Sequence, residues 1–384
     1  MRAALTILAL WCAGLGAAAQ FGKISIAYSE LGAAYPAEDG VQIGLMVSIV
    51  GMVGMVFGTT AGLVVARVGA RRAMLAALAL GAAVSVVQSV LPPYPLMMLA
   101  RMLEGISHLA IVVVGPTAIA AVAPPSRQGA AMTLWSSFFG LTYAGLAWIG
   151  PGILDGYGIA GLFRLHALWL LVCAAALWTL MPGDLRPPVT TGQGGLLAQH
   201  LQIYASPFIA APATGFVCYT ITYVAVLTLL PAALGAWGAF AGVAMPLVSI
   251  AVSLTFGVWL MSRIGAVRLA EAGFAAAALA AVLIWLVWGQ DVVIVAALLL
   301  AASLGIVQGA SFAAIPQLNP LAQDRARAAG AIAQLGNLGT TTGTPVLALL
   351  MQYAGVTGLT VFLLGFSLLG LFIHLIQGHR RSVT

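Results

Sequence analysis

Four ionisable side chains stand in stretches that are otherwise apolar: Lys23 within 3–28, and Arg101, Glu104 and His108 within 95–121. At about 100° per residue the last three fall in a sector of roughly 60° on one helix face. That face offers a cation, a carboxylate and an imidazole. Such a set is suited to holding an anion and carrying a proton, because desolvation and neighbouring cations tune a carboxyl group and imidazole titrates near neutrality. If the helix crosses a bilayer, each charge is costly unless a partner or water faces it. On this reading Lys23 and Arg101 bind an anionic group, while Glu104, with His108, carries a coupling proton. The competing reading is a structural ion pair between Arg101 and Glu104, with Lys23 reaching out to the interface and His108 a hydrogen-bonded core imidazole.

The rest of the chain places these residues in a membrane. It is 62% hydrophobic and 6% charged, against about 25% charged in a soluble domain. The apolar runs are continuous rather than alternating, which excludes a β-barrel. Windows of about twenty residues give twelve spans: 3–28, 42–66, 73–92, 95–121, 130–154, 163–182, 206–231, 239–262, 267–288, 292–316, 329–353 and 357–378. The expected fold class is therefore an all-α membrane protein. A stretch at 183–205 with Arg186-Pro187-Pro188 and Gly192-Gln193-Gly194-Gly195 splits the spans six and six. The expected domains are a six-helix bundle over 1–182, a cytoplasmic linker over 183–205 and a second bundle over 206–384.

Orientation follows from charge. With both termini inside, twelve of the 15 Lys and Arg residues lie in cytoplasmic segments, as the positive-inside rule requires. The formal charge of +6 then reports orientation rather than nucleic-acid binding. Met1-Arg2 followed by an apolar run and Ala17-Ala18-Ala19-Gln20 imitates a secretory signal, but the apolar segment runs on to Tyr28 and reads as an uncleaved first span. At 1.5 Å per residue, Arg101 lies roughly 9 Å, Glu104 roughly 14 Å and Lys23 roughly 8 Å from the outer ends of their helices, so the two cations share a depth. Cys12, Cys173 and Cys218 lie in apolar segments without metal-ligand spacing. No P-loop or HExxH occurs, so no enzyme, metal or cofactor is expected.

The halves echo each other. Arg67-Val68-Gly69-Ala70-Arg71-Arg72 returns 196 residues later as Arg263-Ile264-Gly265-Ala266-Val267-Arg268, and a parallel repeat is a signature of two-domain transporters. The stretch from Gly62 to Arg72 resembles the loop 2–3 motif of the major facilitator superfamily, G-x-L-a-D-R-x-G-R-R. Gly62, Arg67, Gly69, Arg71 and Arg72 match as conformational-motif residues, and Ala66 replaces the aspartate of its latch salt bridge. Leu99 to Gly105 resembles the fourth-helix motif R-x-x-Q/E-G. Gly145 through Gly150-Pro151-Gly152 loosely resembles the fifth-helix motif of the antiporter branches. Leu134-Trp135-Ser136-Ser137 and the compact chain are faintly similar to bacterial cyanate-permease-like members.

The resemblance implies two pseudo-symmetric bundles, with helices 1, 4, 7 and 10 lining a central cavity. It also implies a proton-coupled secondary transporter of the bacterial inner membrane, working as a monomer by alternating access. Its partners would be a small-molecule substrate, protons and membrane lipid. The positive balance of Lys23 with Arg101 favours an organic anion. Two alternatives are a multidrug/proton antiporter and a transporter-like sensor that binds without translocating. Tyr219 and Tyr223 on the seventh span, and Gln334 and Asn337 on the eleventh, are candidate neutral substrate contacts. Arg164 and His166 read as interfacial anchors of the sixth span. Ala297 stands 196 residues after Arg101, so the second half offers only neutral polar contacts.

Overall fold

The computed structural model describes residues 2–58, 61–124, 127–181 and 196–383, and all regular structure among them is helical. The chain divides into two compact units, Met1–Val189 and Thr190–Thr384. Residues 183–195 of the expected linker lie outside the described set.

The first unit contains α1 (Arg2–Ile26), α2 (Tyr28–Ala34), α3 (Gly40–Ser48), α4 (Gly51–Phe57), α5 (Ala61–Val68), α6 (Ala70–Gln88), α7 (Tyr94–Val122), α8 (Gln128–Ser136) and α9 (Phe138–Leu180). Helix α1 packs on α7 and α9, and α6 on the same two. Leu10, Ala17, Leu78, Ile111, Leu170 and Leu177 close the core between them. The expected continuous span at 42–66 is instead broken, with α3 and α4 bent by 53°. Gly44, Gly51, Gly54 and Gly58 weaken helix propensity there. The connection before α3 is fixed by polar contacts. Asp39 and Gln42 form a reciprocal capping box. Tyr28 donates to the Gly40 carbonyl (2.6 Å), Tyr94 to that of Gln42 (2.9 Å) and Tyr35 to that of Pro92 (2.7 Å).

The second unit contains α10 (Leu196–Ala205), α11 (Ala211–Ala233), α12 (Gly238–Val252), α13 (Val258–Ile264), α14 (Ala266–Leu286), α15 (Val293–Leu318) and α16 (Ala322–Val383). Helix α11 packs on α16, α14 on α15 and α16, and α12 on α15. A π-helical turn at Ser253–Gly257 separates α12 from α13.

Nine helical segments among the described residues are long and apolar enough to cross a membrane, or ten with the bent α3–α4 pair. Two of them exceed any single crossing. Helix α9, with 43 residues, is about 65 Å long, twice a hydrocarbon core of about 30 Å; α16 has 62 residues. Each is interrupted by one glycine with positive φ, Gly158 at 63° and Gly355 at 53°.

Candidate functional site

The charged residues of the first unit meet inside it. Lys23, Arg101 and Glu104 are each 0% exposed. The Lys23 ammonium donates to Glu104 Oε1 at 2.6 Å, Ser85 Oγ at 2.7 Å and Gln88 Oε1 at 2.7 Å. Arg101 donates through Nη1 to Glu104 Oε2, and Gln88 Nε2 donates to the same oxygen at 2.8 Å. The Gln88 amide orientation is forced, because its carbonyl meets an ammonium and its amino group a carboxylate.

Arg101 has a second task. Its Nε donates to the Met46 carbonyl (2.8 Å) and Nη2 to that of Val47 (3.1 Å). These carbonyls lie in the last turn of α3, where the helix stops and its acceptors lack helical partners. A guanidinium at a helix C-terminus satisfies them and complements the dipole. The fork that holds Glu104 therefore also caps the broken helix.

His166 on α9 completes the cluster. Its Nε2 meets the Gly16 carbonyl at 3.0 Å, and because that oxygen only accepts, Nε2 carries the hydrogen. Nδ1 then presents a lone pair to Ser85 Oγ at 2.8 Å and Lys23 Nζ at 3.2 Å. The three ammonium N–H groups already serve Ser85, Gln88 and Glu104, so the Ser85 hydroxyl donates onward to His166. The Phe163 ring lies 4.9 Å from Lys23 Nζ.

Helices α1 and α7 are zipped by successive polar rungs. Lys23 meets Glu104, Gln20 Nε2 donates to Ser107 Oγ at 3.0 Å, and His108 Nδ1 meets the Ala17 carbonyl at 3.1 Å. His108 is thus two rungs from the charges, packed edge-on against Phe21. Glu104 and His108 share a helix face as expected, yet the imidazole beside the ammonium is that of His166.

The remaining candidates are dispersed. Tyr219 and Tyr223 are buried on α11 with rings stacked 5.1 Å apart. Gln334 Oε1 accepts from Tyr204 of α10 at 2.8 Å. The Asn337 amide turns back to its own helix, donating to the Ala333 carbonyl at 2.7 Å, a common use of a mid-helix Asn.

The loop-motif residues serve the backbone. Gly69 and Gly265 precede α6 and α14 with φ of 93° and 79°, so the repeated glycine supplies the same left-handed turn twice. Arg71 donates to the Trp178 carbonyl and lies 4.9 Å from that indole ring. Arg2 donates to the Thr179 carbonyl at 3.1 Å, so two arginines cap the end of α9. Arg67 and Arg72 are exposed. The side chain of Ala66, and the surroundings of Gly62 beside it on α5, lie outside the described set.

Sequence reasoning missed Ser85, Gln88 and His166. The signal for the first two was their spacing of three on α6. For His166 it was its position two residues from Arg164, which turns the two to opposite sides of a helix; Arg164 is exposed and His166 buried. Among the described residues no set of three His, Cys, Asp or Glu side chains is placed to hold a metal ion.

The sequence profile of the Major Facilitator Superfamily matches residues 6–320 of the chain. No curated protein matches it.

Proposed function

The chain belongs to the Major Facilitator Superfamily, and from that premise we propose that it is a proton-coupled secondary active transporter of a small organic anion or a metabolite bearing an anionic group. Membership makes it a multi-pass membrane transporter; the coupling and the solute are our reading.

The observation that carries the reading is the charge count of the buried cluster. With Lys23 and Arg101 charged and Glu104 ionised, one positive charge lacks a counter-charge among groups that are all 0% exposed. An uncompensated buried charge is strongly destabilising. An anionic solute relieves it, and the charged members of the cluster lie on helices α1 and α7, the first and fourth apolar spans of the chain. The stacked pair Phe139–Tyr143 in the same unit favours a solute with an apolar body beside its charge. It also suits a multidrug antiporter, against which the positive balance speaks.

The layout proposed for this activity has twelve spans. Helices α9 and α16, each interrupted at a positive-φ glycine, cross twice, and α3–α4 crosses once. Both termini then lie on the arginine-rich cytoplasmic face of an inner membrane, and a monomer working by alternating access is the functional unit.

Purified protein in liposomes tests the reading. An inward acid gradient should drive accumulation of a member of an organic-anion panel, and Arg101→Ala should abolish it. Efflux of cationic dyes in exchange for protons would favour the antiporter. Binding of an anion without flux would favour the sensor.

A further inference from the structure

We propose that the coupling proton is carried by Lys23: its amine is charged when the anion is bound and neutral when the site is empty. The proposal rests on the transport reading for the proton's task, but its evidence is the hydrogen-bond polarity of the cluster.

Each titratable group can be asked where another proton, or one fewer, would go. Glu104 accepts from Lys23, Gln88 and Arg101. Every neighbour of its carboxylate is a donor, so a carboxylic O–H would face N–H groups and find no acceptor. Glu104 therefore stays ionised. Arg101 keeps its proton in proteins. His166 is fixed as a donor on the Gly16 carbonyl, and a second N–H at Nδ1 would compete with the Lys23 ammonium for Ser85 Oγ and set a second cation 3.2 Å from it. His108 lies two rungs away on the Ala17 carbonyl. Tyr143 meets the Ser25 hydroxyl at 3.1 Å. From α3 the Met46 and Val47 carbonyls reach the cluster, and from α6 Ser85 and Gln88.

Lys23 is the group whose surroundings suit both states. As an ammonium it donates to Ser85, Gln88 and Glu104. As an amine it keeps two N–H donors, for Glu104 and Gln88, and its lone pair takes the Ser85 hydroxyl, which lies 2.7 Å away. That change is one hydroxyl rotation. On release an ammonium N–H bond breaks as Ser85 Oγ takes that proton, and the proton that Ser85 already donates to His166 passes to Nδ1, 2.8 Å away; His166 gives it to water when the cluster opens. Neutral Lys23 leaves Arg101 and Glu104 balanced. A bound anion restores the need for the second positive charge. By linkage the anion favours protonation and acid favours the anion, so the two travel together as symport.

Lys23 is the only lysine in the chain. Protein labelled with carbon-13 at lysine Cε therefore gives one side-chain signal, whose chemical shift reports the charge on Nζ. In anion-free protein held in nanodiscs, lowering the pH from about 9 to about 5 should move that signal from the amine to the ammonium position. A signal at the ammonium position throughout overturns the proposal. The titration needs no transported solute. A titrating Lys23 without flux in liposomes would sink the transport reading alone, and flux with a permanently charged Lys23 would sink this one alone.

Discussion

Gly105 of α7 rests directly on the Val50 carbonyl, at the break between α3 and α4, with no room for a side chain between them. Gly305 of α15 rests in the same way on the Ser249 carbonyl of α12. A glycine thus lets two backbones touch in each unit. A Cβ at position 105 would overlap the Val50 oxygen and stand 2.9 Å from Val53 Cγ2. Because a backbone oxygen yields little, Gly105→Ala should destabilise by about 1–3 kcal/mol. Gly145 has nothing within 4 Å, so Gly145→Ala should be neutral or stabilising. Thermal unfolding in detergent compares the two, and equal melting points would refute the contact.

Arg101→Leu should cost roughly 3–5 kcal/mol, since it strands part of a buried ion network. The same change uncaps the Met46 and Val47 carbonyls. Amide hydrogen exchange over 46–53 should therefore rise well above the level seen when a surface arginine such as Arg72 is replaced. Arg101→Lys should recover only part of the protection, because an ammonium lacks the fork that reaches Glu104 and two carbonyls together.

Gly69→Ala and Gly265→Ala should each cost about 1–3 kcal/mol for backbone reasons alone. Their φ angles are 93° and 79°, and nothing lies within 4 Å of a Cβ at Gly69. Gly32 has equal space and no positive φ, so Gly32→Ala serves as the control in the same unfolding measurement.

Outside the spans, burial pushes the Tyr35 phenol up to about 12, above its ordinary value of about 10. The fold thus favours the neutral phenol. Its contribution is whole below about pH 10 and is lost as the pH climbs towards about 12. The tyrosinate absorbance of the intact protein minus that of Tyr35→Phe should show its step near the upper value; a step at the ordinary one would put the phenol in water.

Much of the site was legible because helical spacing fixes which residues share a face. Arg101, Glu104 and His108 follow from that rule, and the depth match put Lys23 opposite them. The repeated R-x-G-A-x-R pointed to Gly69 and Gly265, though as motif rather than as turn. Spacing does not fix how a helix is rotated about its axis when small apolar residues surround it, as they do on α6 and α9. Their spacing therefore marked Ser85, Gln88 and His166 without showing which groups they would meet. The break in α3–α4 was hidden for a related reason. A glycine-rich apolar run reads as one span, and the residue that stabilises its interruption, Arg101, lies far along the chain.

Charge is unevenly shared by the two units. Helices α11, α12 and α15 contain no Lys, Arg, Asp or Glu, so no ion pair joins them to one another. The first unit is held at its centre by charge-assisted hydrogen bonds, which need a fixed distance and angle and are regained only on return to register. The first unit therefore has a register that its buried charges enforce, a constraint that α11, α12 and α15 do not impose on the second.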